Sequence, residues 1–159
     1  MQCIYLSLGS NLGNREELLH KAVLLIGERL GKVDEQSSYY LTQAWGKTDQ
    51  PDFINQVVTL YSDKQAPVIL AQVLEIERLL GRMRIEKWGE RTMDIDILFY
   101  GDQIINEPNL IIPHPLLHKR RFIIEPMLEI ASDFIHPVLG KTIKTIEMEL
   151  SDNLFVQRI

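Results

Sequence analysis

Arg91-Thr92-Met93-Asp94-Ile95-Asp96-Ile97-Leu98-Phe99-Tyr100-Gly101 is the stretch that decides how this chain is read. Met93, Ile95, Ile97 and Phe99 alternate with Asp94, Asp96 and Leu98, which predicts a strand with one apolar face. The period of two puts Asp94 and Asp96 together on the opposite face, their Cα atoms roughly 7 Å apart. Carboxylates that close repel each other unless a positive charge lies between them or one of them holds a proton. Two hard cations ~3.5–4 Å apart, as in a two-metal phosphoryl-transfer site, would suit them. The plain alternative is two solvated aspartates on the wet face of an edge strand.

Upstream of this strand the charge is uneven. Arg78, Arg82, Arg84, Lys87 and Arg91 are opposed only by Glu86 and Glu90, and Trp88 stands among them in a short charged loop. A large aromatic there reads as part of a lid over a ligand. Before the loop, Pro67 suits the first turn of a helix running to about Leu80 on Val68, Ile69, Val73, Leu74 and Ile76. Residues 53–61 read as a strand and 43–52 as an exposed loop. Residues 32–42 read as one strand of looser pattern. Residues 14–30 form a helix opened by the Asn14/Glu17 capping pair and closed by Gly31, after a first strand at 2–8 and a turn at 9–13. The order β-α-β-β-α-β predicts an α+β, ferredoxin-like core, an antiparallel sheet with both helices on one face. Beyond it we expect a hairpin around residues 106–108 and short helices at 115–120, 124–131 and 142–150.

The 159 residues fit a single domain spanning 1–159, with 45% hydrophobic and 25% charged residues. No apolar run approaches the ~20 residues of a membrane span, and no basic leader opens the chain. The lone Cys3 fits a reducing cytosol and reads as a small core residue. A net charge of −5 argues against general nucleic-acid binding. The basic clusters at 78–91 and 118–121 (His118, Lys119, Arg120, Arg121) instead suggest a small anionic ligand held in one place. Without membrane or nucleic-acid partners, a cytoplasmic monomer acting on small molecules is expected.

Phe53 and Asn55, at i and i+2 of one strand face, suit stacking on and hydrogen-bonding to a flat heterocycle; the plain alternative is core, where a strand aromatic usually belongs. Pro113-His114-Pro115 presents an imidazole ahead of Arg120 and Phe122. No Walker-type glycine loop, zinc spacing or nucleophile elbow occurs. The chemistry on offer is metal plus arginine, in which the protein positions and neutralises. Two rivals are an RNA-binding module, for which the aromatic RNP consensus is missing, and a cation-binding structural domain, which leaves the arginines unexplained.

Taken in order, Leu8-Gly9-Ser10-Asn11, Gln50 to Asn55, Glu77 with Gly81-Arg82, Trp88 to Asp96, Pro113-His114 and Arg120-Arg121-Phe122 strongly resemble the 6-hydroxymethyl-7,8-dihydropterin pyrophosphokinases of folate biosynthesis. The resemblance implies transfer of pyrophosphate from ATP to the pterin hydroxymethyl group, leaving AMP, with ATP as co-substrate and two Mg²⁺ as cofactors. It implies that Asp94 and Asp96 hold the metals, and that Phe53 and Phe122 sandwich a pterin read by Asn55 and by the backbone around Thr42 and Ala44. Glu77, Arg82, Arg84, Arg91, Ile97, His114 and Arg120 would contact ATP. Arg82, Arg91 and Trp88 would act in catalysis with the aspartates, Trp88 and Arg91 on a loop that closes the site. The chain departs from the family pattern at Leu74, Asn109, Ile111 and Pro115, all toward the expected nucleoside end.

Overall fold

Strand β1 (Gln2–Ser10) runs through the middle of the sheet because it is apolar enough on both faces to be covered twice. It pairs antiparallel with β4 (Phe53–Ser62) on one side and β5 (Asp94–Tyr100) on the other. The computed structural model describes residues 1–44, 49–81 and 92–159. Helix α1 (Arg15–Arg29) begins as expected, the Asn14 side chain accepting the Glu17 N–H at 3.2 Å. Helix α2 (Ala66–Leu79) carries Pro67 in its first turn, where the missing N–H costs nothing. Leu19 and Ile26 of α1 and Ile69, Val73 and Ile76 of α2 close on Ile4, Leu6 and Leu8 of β1. Both helices thus cover one face of an antiparallel sheet, as the α+β, ferredoxin-like expectation required.

The stretch read as one strand over 32–42 is two: β2 (Lys32–Gln36) and β3 (Tyr40–Thr42), both paired with β4. Gln36 faces Val58 while Tyr40 faces Asn55, so four steps of chain match three of the partner. Ser37 holds the break. Its N–H donates to the Val57 carbonyl at 2.9 Å and its Oγ accepts the Val57 N–H at 3.0 Å.

A bulge also corrects the reading of β5. Leu6 pairs with Ile97 and Tyr5 with Phe99, leaving Leu98 as the extra residue. Phe99 therefore does not continue the Met93-Ile95-Ile97 face. It turns to the other side, beside Leu98, and meets the Tyr5 ring edge-on at 5.7 Å. That second face is covered by α3 (Arg121–Ala131) and α4 (Ile143–Met148) through Ile123, Ile124, Met127, Ile143 and Ile146.

The remaining elements refine the expectations. Gly9 and Ser10 belong to β1, not to the following turn. The hairpin β6 (Ile105–Glu107) and β7 (Leu110–Ile112) turns at Pro108-Asn109, one residue later than expected. Residues 115–120 hold a single 3₁₀ turn, Leu117–Lys119, and Arg120 is the N-cap of α3, which starts earlier than the expected 124. A last strand, β8 (Val156–Arg158), pairs with β3 and was not anticipated. Cys3 is half-buried on the α3 side, not a core residue. Among the described residues no helix is long and apolar enough to cross a membrane.

Candidate active site

Several of the candidate side chains gather near the start of β4, on the sheet face that carries α3. Register alone brings them together: β1 lies between β4 and β5, with Gly9 opposite both Asn55 and Asp94, and Ser7 opposite Asp96. Asp94 and Asp96, Asn55 and Phe53, and Thr42 of β3 therefore share one face over a few adjacent rungs of the ladder. The Asn55 amide donates to Thr42 Oγ1 at 2.5 Å, which fixes the orientation of the amide. Thr42 and Ala44 are buried, while Phe53 is half-buried at the open end.

Gly9 explains why this geometry is possible. A Cβ built on it would collide with Asn55 Oδ1 and touch the Phe53 ring. Its φ is ordinary, so the requirement is for space and not for an unusual backbone. A glycine inside a strand pattern signals such a close approach. Reading residue 9 as a turn hid that signal. The next residues do a related job. Asn11 donates to Gln50 Oε1 at 2.9 Å and to the Pro51 carbonyl at 3.0 Å, and Arg15 donates to the Asp52 carbonyl at 2.8 Å. These bonds pin the segment that delivers Phe53.

On the other side of the aspartates lies a cleft of about 310 Å³. Glu77, Asp94, Asp96, Ile97 and His114 line it, so five of the sequence candidates meet there. Leu74, Asn109, Ile111 and Pro115 line it as well, with Leu70 and Pro108, so all four family departures fall in one cleft. Glu77 is buried, and its carboxylate accepts the Ile95 N–H at 2.8 Å, tying α2 to the strand of the aspartates.

His114 Nδ1 accepts the Leu116 N–H at 3.2 Å, which leaves the proton of the neutral ring on Nε2. Burial and the Arg120 guanidinium pull the imidazole down to about 4, against the upward pull of Asp94. The structure thus groups His114, Arg120 and Asp94. Arg120 is buried and lies 5.6 Å from the centre of the half-buried Phe122 ring.

Arg82, Arg84, Trp88 and Arg91 lie outside the described residues. Arg78, counted in the same basic cluster, is exposed and pairs with Glu75 at 2.5 Å, so it belongs to the solvent face of α2. Among the described residues no group of three or more metal-ligating side chains forms. Two carboxylates on one face nevertheless suit Mg²⁺, which takes hard oxygen ligands and commonly only one or two from protein, the rest being water and phosphate oxygens.

The model of the family described as 7,8-dihydro-6-hydroxymethylpterin-pyrophosphokinase (HPPK) matches residues 5–132. A 2-amino-4-hydroxy-6-hydroxymethyldihydropteridine pyrophosphokinase of Synechocystis sp. is 42% identical over 137 residues, 86% of this chain and 70% of the relative. The protein of that name from Haemophilus influenzae is 41% identical, covering 84% of each chain. Among solved structures, Plasmodium falciparum wild-type HPPK-DHPS with SDX-DHP superposes with a TM-score of 0.75 at 19% identity. That superposition covers 94% of this chain but 43% of the solved one, so the chain spans less than half of that structure's length and the likeness concerns the fold.

Proposed function

This chain belongs to the 7,8-dihydro-6-hydroxymethylpterin-pyrophosphokinase family, and from that premise we propose that it transfers pyrophosphate from ATP to 6-hydroxymethyl-7,8-dihydropterin. The activity belongs to folate biosynthesis and makes the chain an ATP-dependent enzyme. The observation that carries the reading is the placement of Asp94 and Asp96 on the same sheet face as Phe53, Asn55 and Thr42, at the mouth of the cleft. A flat donor–acceptor ring stacked on Phe53 and held by Asn55 would bring its hydroxymethyl group toward the aspartates. A nucleoside triphosphate in the cleft would present its phosphates to the same carboxylates.

The hydroxymethyl oxygen attacks the β-phosphorus in line, and the bond from that phosphorus to the α–β bridging oxygen breaks. The pterin diphosphate and AMP result, and the hydroxyl proton is released. Asp94 and Asp96 would hold two Mg²⁺, which when bound supply neutralisation of the phosphate charge. The protein's own part is positional. Asn55, oriented by Thr42, fixes the acceptor ring. His114, neutral, offers its Nε2–H to a phosphate oxygen, and Arg120 adds a fixed positive charge beside it. Arg82, Arg84 and Arg91 would supply further phosphate contacts, with Trp88 and Arg91 closing over the substrates. Holding two reactants in register in this way accounts for a large share of the rate enhancement.

Chromatographic analysis of nucleotide products tests the reading, with ATP, Mg²⁺ and 6-hydroxymethyl-7,8-dihydropterin and an Asp96→Ala protein run in parallel. AMP should form only when the pterin is present, and should fall by at least two orders of magnitude in the variant, about the loss seen when one stabiliser of transition-state charge is removed. ADP in place of AMP would make the chain an ordinary kinase and refute the proposal.

A further inference from the structure

The basic run His118-Lys119-Arg120-Arg121 divides among three environments. Arg120 turns to the candidate active site. Arg121 is consumed by structure, bonding Glu125 at 2.7 Å and the Asp152 carbonyl at 2.9 Å. His118 and Lys119 face a second cavity, of about 190 Å³, which shares no lining residue with the catalytic cleft. Three segments converge on it: the 3₁₀ turn, the 135–142 turn through Leu139 and Lys141, and the end of α4 through Ile146, Glu149, Leu150 and Ser151.

The walls are built, not incidental. His136 is buried and its Nδ1 accepts the N–H groups of both Val138 and Leu139, at 3.2 and 3.1 Å. Its own N–H donates to the Lys141 carbonyl at 2.8 Å, and the Gly140 N–H returns to the His136 carbonyl at 2.8 Å. The turn that sets Leu139 and Lys141 is thereby fixed. Lys141 pairs with Glu149 at 2.7 Å, both side chains about half exposed, a contact that is inexpensive to rearrange. Lys119 has no acidic partner among the described residues. Two ammonium groups against one carboxylate leave one positive charge in excess. Burial first, and then Lys119 and Lys141, hold the His118 imidazole below its ordinary value, so both ammonium groups lie close to the ring that lines the cavity.

We propose that this cavity is a second binding site, distinct from the catalytic one, for a small amphipathic monoanion: a carboxylate carrying an aromatic or branched apolar body. The carboxylate meets Lys119 and Lys141, and the body lies against Leu139, Ile146 and Leu150. The size excludes a nucleotide, since pockets for drug-sized ligands occupy roughly 300–1,000 Å³. The single excess charge favours a monoanion over a polyphosphate, and the apolar wall favours a ring over bare phosphate.

The test is an NMR titration of the full chain with benzoate, observing the His118 ring and the methyl groups of Leu139, Ile146 and Leu150, with acetate and inorganic phosphate as separate arms. Benzoate should shift these signals saturably, ahead of acetate and phosphate, and Lys119→Gln should weaken its binding about tenfold, the order expected for one charge-assisted hydrogen bond. Lys119 is exposed, so the variant keeps the fold. No saturable shift, equal binding by Lys119→Gln, or shifts centred on Phe53 and Asn55 would each overturn the proposal. Phosphate saturating before benzoate would overturn its apolar half.

Discussion

Gly9 holds a position where the absence of a side chain is what lets two neighbouring side chains lie as they do. The space its Cβ would fill is taken by the Asn55 amide and the edge of Phe53. Gly9→Ala should therefore push both groups aside and weaken pterin binding about tenfold or more, which is ~1.4 kcal/mol. Some stability should be lost as well, because the backbone there is ordinary but the displaced Asn55 amide is buried and gives up its bond to Thr42. Isothermal titration with the pterin, beside a thermal melt, checks this. Unchanged affinity would show that the amide is not held where binding requires it. Asn55 and Phe53 stand out in the sequence as candidates because their types and spacing suit a heterocycle. Gly9 was not, because its constraint lies in a partner 46 positions away, a register fact that only the folded sheet contains.

The same holds between elements. β5 has a neighbouring strand on one side only within its sheet, and the Glu77 carboxylate supplies an acceptor for Ile95 on α2's side. Glu77→Leu removes that acceptor and leaves a buried N–H, which should lower the unfolding free energy by roughly 1–3 kcal/mol, whereas Glu77→Gln retains an acceptor oxygen and should lose less. Urea midpoints of the two variants decide it; equal losses would mean that charge, not hydrogen bonding, matters there. The helices were legible because capping and 3.6-residue spacing are local properties: Asn14 with Glu17, and Pro67 at the start of α2. The division of 32–42 was not, because β2 and β3 owe their separation to an extra residue that Ser37 absorbs against Val57. β8 was not legible either. Its three residues are a strand only because β3 offers an edge to pair with.

Across the whole molecule, three imidazoles sit where burial disfavours their charged form: His114, held at about 4, and His118 and His136, both lowered. In the unfolded chain each takes up a proton near pH 6.5, whereas the folded protein resists until lower pH. The contribution of His114 is intact above pH 6.5 and is lost as pH falls toward about 4, and those of His118 and His136 fade in the same direction below pH 6.5. Unfolding free energy measured by urea should fall by on the order of 1–2 kcal/mol between pH 7 and pH 5, and His114→Asn should flatten part of that slope. A profile level over this range would refute the assignment. The fold class and the aspartate pair were visible in the sequence, since both follow from alternation and element order. The arrangement of the second face was not, because Phe99 changes sides at a bulge that leaves no mark on composition. That bulge works like a shift of reading frame within a strand. Before Leu98 the rule that assigns residues to faces serves the aspartates; after it the opposite rule seats an aromatic under α3. One residue of chain length thus lets a single strand carry chemistry at one end and packing at the other, and deleting it would force the two ends onto one rule.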